Sequence, residues 1–148
     1  MKKLVLITAL MAAFACQAAT WEPVSEDVDG ETKMFVDVES VAPGMSTDGY
    51  ALIMADFMFV DKKENTPVSY LIAPQSCILG GGTMLARAVV DGKGWQTVGK
   101  YQWSVEGGHL YDYAGMAMCL IAKEKMDAAN PQKEVDKKPK AIPQGNMV

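Results

Sequence analysis

Hydrophobic period changes once along this chain, at Gly107-Gly108. Upstream, apolar side chains recur at every second residue or in short unbroken runs, as in strands whose successive side chains point to opposite faces. Downstream, Tyr113, Met116, Ala117, Leu120 and Ile121 recur at spacings of three and four, the stripe of an amphipathic helix. Strands first and one helix last predict an α+β fold, an antiparallel β-sheet with the C-terminal helix packed on one face.

The strands can be placed from their punctuation. Met34, Val36 and Val38 alternate with Phe35, Asp37 and Glu39, which predicts a strand from Lys33 to Val41 ending at the Pro43-Gly44 break. Tyr50 to Val60 is apolar except for Asp56 and reads as a central strand covered on both faces. A charged loop from Asp61 to Thr66 joins it to an antiparallel neighbour at Val68 to Ile72, which runs on toward Cys77 with an interruption near Pro74. Gly80-Gly81-Gly82 reads as a wide hairpin into Thr83 to Val90. Asp91-Gly92-Lys93-Gly94 is a tight turn into Val98 to Val105, with Trp103 inside that last strand. From 127 to 148, Pro131, Pro139 and Pro143 among alternating charges predict a disordered tail.

Residues 1–19 have an order of their own. Lys2 and Lys3 precede an uncharged run from Leu4 to Ala15, and small residues follow at Ala18 and Ala19, the layout of a secretory signal peptide. The run of 12 residues is well short of the roughly 20 needed for a spanning helix, and no later segment repeats it. The expected mature domain therefore spans 20–126, in the periplasm or at the surface of a bacterial cell. Cys16 raises the alternative of a lipid anchor, but Ala13-Phe14-Ala15 is a poor lead-in to it, and cleavage after Ala18 or Ala19 is expected instead.

Loss of Cys16 leaves Cys77 and Cys119 as an even pair in a compartment that permits oxidation. A disulfide between them would close a loop of about forty residues, worth ~4 kcal/mol by loop-closure entropy. Two buried free thiols are the alternative state.

Charge and residue types exclude several functions. Residues 20–122 carry six basic against fourteen acidic side chains, a balance of −8, which repels nucleic acid and anionic lipid and suits a basic partner. His109 is the only histidine, so no histidine-pair zinc site exists, and it reads as a loop or helix-start residue. No Gly-x-Ser-x-Gly elbow surrounds Ser69 or Ser104, and the glycine triplet lacks the lysine and hydroxyl of a phosphate loop. No catalytic, cofactor-binding or metal site is expected, and the chain reads as a non-enzymatic binding protein.

Methionines are dispersed through apolar runs, where they fill gaps in a core, although Met54 and Met58 share a strand face. Asp37 and Glu39 fall on one side of their strand, its solvated face. Of the three tryptophans, Trp95, just past the tight turn, is the candidate for a surface contact.

The order of these features resembles the surface-adhesin protein E-like family of Gram-negative bacteria. The resemblance covers residues 20–122 and rests on the early Trp21, the strand Phe35-Val36-Asp37-Val38 with Ser40-Val41, and Ser69-Tyr70 ahead of Cys77. The Asp91 to Gly94 turn, Trp103 and a second cysteine in a C-terminal helix complete it. It implies an antiparallel sheet with a disulfide-tethered helix, an outer-membrane or surface location, and a protein partner. That partner is a host matrix or plasma protein such as vitronectin or laminin, or an envelope component, and some members are homodimers or lipoproteins. The acidic body, poor in lysine, departs from the family.

Overall fold

A computed structural model describes residues 19–130. Residues 1–18 of the signal peptide expected at 1–19, Cys16 with them, and residues 131–148 of the tail expected at 127–148 lie outside the described residues.

Seven strands form one antiparallel sheet: β1 (Trp21–Glu26), β2 (Lys33–Asp37), β3 (Ala42–Met45), β4 (Ala51–Val60), β5 (Asn65–Ile72), β6 (Gly81–Val90) and β7 (Gly94–Ser104). Their spatial order is β1-β2-β4-β5-β6-β7, with β3 paired to β4. Two α-helices complete the described residues, α1 (Pro74–Leu79) and α2 (Leu110–Ala129). The α+β architecture read from the change of period is therefore the architecture observed.

The strand expected from Lys33 to Val41 ends at Asp37, and the break expected at Pro43-Gly44 lies inside β3 instead. Asp37 caps a single 3-10 turn at Val38–Ser40, its Oδ1 accepting the Glu39 N–H at 3.2 Å. The chain then re-pairs as β3 along the same edge of β4 that β2 occupies further on. Pro43 fits there because an edge strand can spare an N–H. The acidic N-terminal stretch likewise supplies a strand, β1, which the period did not reveal because a bulge between Pro23 and Ser25 spoils its alternation.

The core lies between one face of the sheet and α2. Met34, Val36, Phe57, Ile72, Met84 and Met118 are its largest enclosed side chains. β4 is covered on this face only: Ile53, Ala55 and Phe57 point inward, whereas Asp56 is exposed and Met54 and Met58 are half-buried on the opposite face. The expectation of cover on both faces is thus corrected.

The helix presents a different stripe from the one read by size. Ala114, Gly115 and Met118 are buried, while Tyr113 and Leu120 are exposed. The reason is Trp103, whose indole lies so close to α2 that a Cβ on Gly115 would meet its Cδ2 at 2.4 Å. Ala114 and Gly115 let the helix approach, Met118 fills the core, Met116 and Ile121 pack at its margin, and Tyr113 and Leu120 turn outward. Asp112, 2% exposed, secures the crossing, since its carboxylate accepts the Ser104 N–H at the end of β7 and the His109 N–H, both at 2.9 Å. His109 is the N-cap of the helix, the helix-start place expected for it. Past Met126 the helix continues to Ala129, so Asp127, Ala128 and Ala129, expected in the tail, are helical.

Cys77 sits in α1 rather than in an extended strand. Pro74 starts that helix, where its missing N–H costs nothing, and Gly80 ends it in the left-handed region at φ 70°, so the glycine triplet is a helix cap followed by a strand start and not a wide hairpin. Cys77 is disulfide-bonded to Cys119, with Cα atoms 5.4 Å apart. The bond joins α1 to the middle of α2 and holds the helix on the sheet.

Cys77→Ser or Cys119→Ser is expected to cost about 2–5 kcal/mol in denaturant unfolding. Amide protection should fall more in α2 than in β4. Unchanged protection in α2 would show that packing on Trp103 alone holds the helix.

Candidate functional site

Among the described residues, the face of the sheet opposite α2 carries no helix. Which side chains it presents depends on register. β6 and β7 pair Ala86 with Gly99 but Arg87 with Thr97, so Val98 is an extra residue. Such a bulge reverses the face of everything beyond it. Trp103 is consequently in the core at 3% exposure, whereas Trp95, an even number of residues away, is on the bare face at 45%. Trp95, named from the sequence as a candidate surface contact, is thus exposed on this face.

Trp95 is not alone there. The sheet curls enough that Trp21, on the strand at the other end of the order, lines the same cleft of about 190 Å³. Asp37, Asp56, Met58 and Pro67 also line it. Trp21 is the cross-strand neighbour of Asp37, and Met58 of Pro67. Two indoles thus stand with an apolar thioether and two carboxylates.

Each carboxylate has a local reason to be where it is. Asp37 closes β2, and its Oδ1 takes the Thr20 N–H at 3.1 Å besides capping the 3-10 turn. Glu39, expected beside it on one strand face, belongs to that turn and is exposed. Asp56 lies where β4 passes from its pairing with β3 to its pairing with β2. Ser40 fills the gap in the ladder, its Oγ donating to the Asp37 carbonyl at 2.6 Å and accepting the Asp56 N–H at 2.8 Å. From the other side Ser69 on β5 donates its hydroxyl to the Asp56 carboxylate. Arg87 is the register partner of Ser69 one strand further and is not part of the cleft lining.

On the helix side, aromatic rings enclose a second hollow of about 320 Å³ between Tyr70, Tyr101 and Tyr111. Tyr101 and His109 stack on the two sides of Tyr111 at 5.2 and 5.1 Å. Burial pushes the Tyr70 phenol well above its ordinary range, with the Tyr101 phenol adding to the shift. Tyr70 stays protonated there, and its edge contact with Phe57 marks it as part of the core. Cys77 and Cys119 border a third, apolar groove between α1 and α2, away from both tryptophans.

No family model, curated protein or solved structure matches this chain. The candidate site therefore stands on its own geometry. Trp21 and Asp56 were visible as residues in the sequence, but nothing in their spacing joined them to Trp95.

Ser40→Ala is expected to cost about 1 kcal/mol, the usual worth of the bonds its hydroxyl makes. Amide exchange at Asp56 should become faster. Exchange at Asp56 equal to that of the native protein would show that the hydroxyl does not bridge the ladder.

Proposed function

We propose that this chain is an exported, non-enzymatic binding protein of the bacterial cell envelope that recognises a protein partner with the bare face of its sheet. The observation that carries the reading is the aromatic cleft on that face, where Trp21 is 39% and Trp95 45% exposed while α2 covers the other face. Tryptophan is among the residues most often found to dominate protein–protein binding energy, because a rigid indole covers much area at little entropic cost. The resemblance to the surface-adhesin protein E-like family supports an adhesin role toward host matrix or plasma proteins. The Cys77–Cys119 disulfide suits an oxidising compartment, and the signal-peptide layout of residues 1–19 agrees with export to it.

The two carboxylates in the cleft favour a second reading, a periplasmic protein that binds a bacterial partner or inhibits a basic host enzyme.

Intact mass of the chain recovered from the envelope is expected to correspond to a start near Ala19 or Thr20 with no acyl group. A lipid on Cys16 would make the protein membrane-anchored instead.

The mature chain, immobilised, is expected to retain purified vitronectin or laminin, and Trp21→Ala with Trp95→Ala to weaken retention by about tenfold or more. Failure to retain either, with capture of a periplasmic component that the double variant loses, would select the second reading. Retention equal in the native chain and the double variant would remove the bare face from the function.

A further inference from the structure

We propose that the Trp21–Trp95 cleft receives the guanidinium or ammonium group of one arginine or lysine side chain from a basic segment of the partner. The inference rests on the binding role of the bare face and adds the chemistry of what that face reads.

Size limits the occupant first. At about 190 Å³ the cleft is smaller than the roughly 300–1,000 Å³ of pockets that enclose a free small molecule. It has room for one side chain of a larger partner lying across the face. Composition then selects the chemistry. Indole faces attract cations, more strongly than other aromatic rings do, and the attraction grows as water is excluded. Asp37 and Asp56 supply the countercharge, and among the described residues no basic side chain lines the cleft to neutralise them. Asp37 Oδ1 is committed to backbone N–H groups and Asp56 Oδ1 to the Ser69 hydroxyl. These bonds fix both carboxylates in place before a ligand arrives, which reduces the ordering cost of binding. Met58 and Pro67 add an apolar wall against which the methylene stem of arginine or lysine can lie. An anionic or purely apolar side chain would leave the two negative charges without a countercharge as water was excluded. The charge of the whole body acts in the same direction, because residues 20–122 carry a balance of −8 and draw a basic segment toward this surface.

The mature protein can be titrated with a four-repeat Arg-Gly peptide while the indole N–H resonances are followed by NMR. Trp103, buried at 3% exposure in the core, serves as the internal reference. The Trp21 and Trp95 resonances are expected to move and that of Trp103 to stay. The response should weaken as salt rises through ~0.15 M. Asp56→Asn keeps an oxygen to accept the Ser69 hydroxyl and removes only the charge; it should lower the peptide affinity several-fold. Trp21→Ala and Trp95→Ala should each lower it roughly two- to fivefold. An unshifted Trp103 resonance in every variant verifies that the core is intact.

The same peptide with citrulline in place of arginine, or a Glu-Gly peptide, should leave Trp21 and Trp95 unmoved. Equal shifts with either, or an Arg-Gly response undiminished by Asp56→Asn, would overturn the cation site. The proposed function fails separately. Vitronectin or laminin retained equally by the native chain and Asp56→Asn, with no Arg-Gly response, would keep the face as a partner surface and refute the cation site.

Discussion

The contact between Gly115 of α2 and the indole of Trp103 decides how the rest of this molecule is arranged. A seven-stranded sheet has two faces, and one amphipathic helix can cover only one of them. Trp103 fixes which face is covered, because it is the large flat side chain against which the helix lands, and Gly115 permits the landing by offering no Cβ. Asp112 ties the end of β7 to the first turn of α2 through two backbone N–H groups, so the crossing is held by hydrogen bonds as well as by packing. The disulfide adds a covalent link between α1 and α2 at a place where packing already brings the helix to the sheet.

A covered face on one side leaves a bare face on the other, and the details of the bare face come from defects in the ladder rather than from regular pairing. The 3-10 turn between β2 and β3 opens a gap beside Asp56 that the Ser40 hydroxyl fills. The bulge at Val98 moves Trp95 to the same side as Asp56. The curl of the sheet then closes the distance from Trp95 to Trp21 on the far strand. Each defect costs some regular hydrogen bonding, and together they gather two indoles and two carboxylates in one cleft. Sites in sheet proteins are commonly re-aimed by bulges in this way.

Local pattern was enough for several parts of the structure. The change of period separated strands from helix, because the spacing of apolar residues follows directly from strand and helix geometry. The Asp91 to Gly94 turn was legible because glycine supplies the positive φ needed there, at Gly92 and Gly94. The cysteine pair was legible from its even number once residues 1–19 were read as a leader. Errors arose where a residue's role depended on what faces it. α1 was missed since six residues with one proline have no period to read. The helix stripe was assigned to the larger side chains, whereas the observed face is built on Ala114 and Gly115, for which a partner's shape matters more than hydrophobicity.

The sequence by itself determined the class of fold, the cysteine pair and the acidic balance of the body, since these follow from composition and local periodicity. Only the tertiary structure decided that Trp103 is core, that β4 is covered on one face and that Trp21 meets Trp95. The physical reason is register: period two says that neighbouring side chains alternate, but a single extra residue in a bulge exchanges the faces without leaving a mark on the pattern. The meeting of Trp21 with Trp95 needs in addition the curl of the whole sheet, to which every strand pair contributes and which no local stretch of sequence encodes.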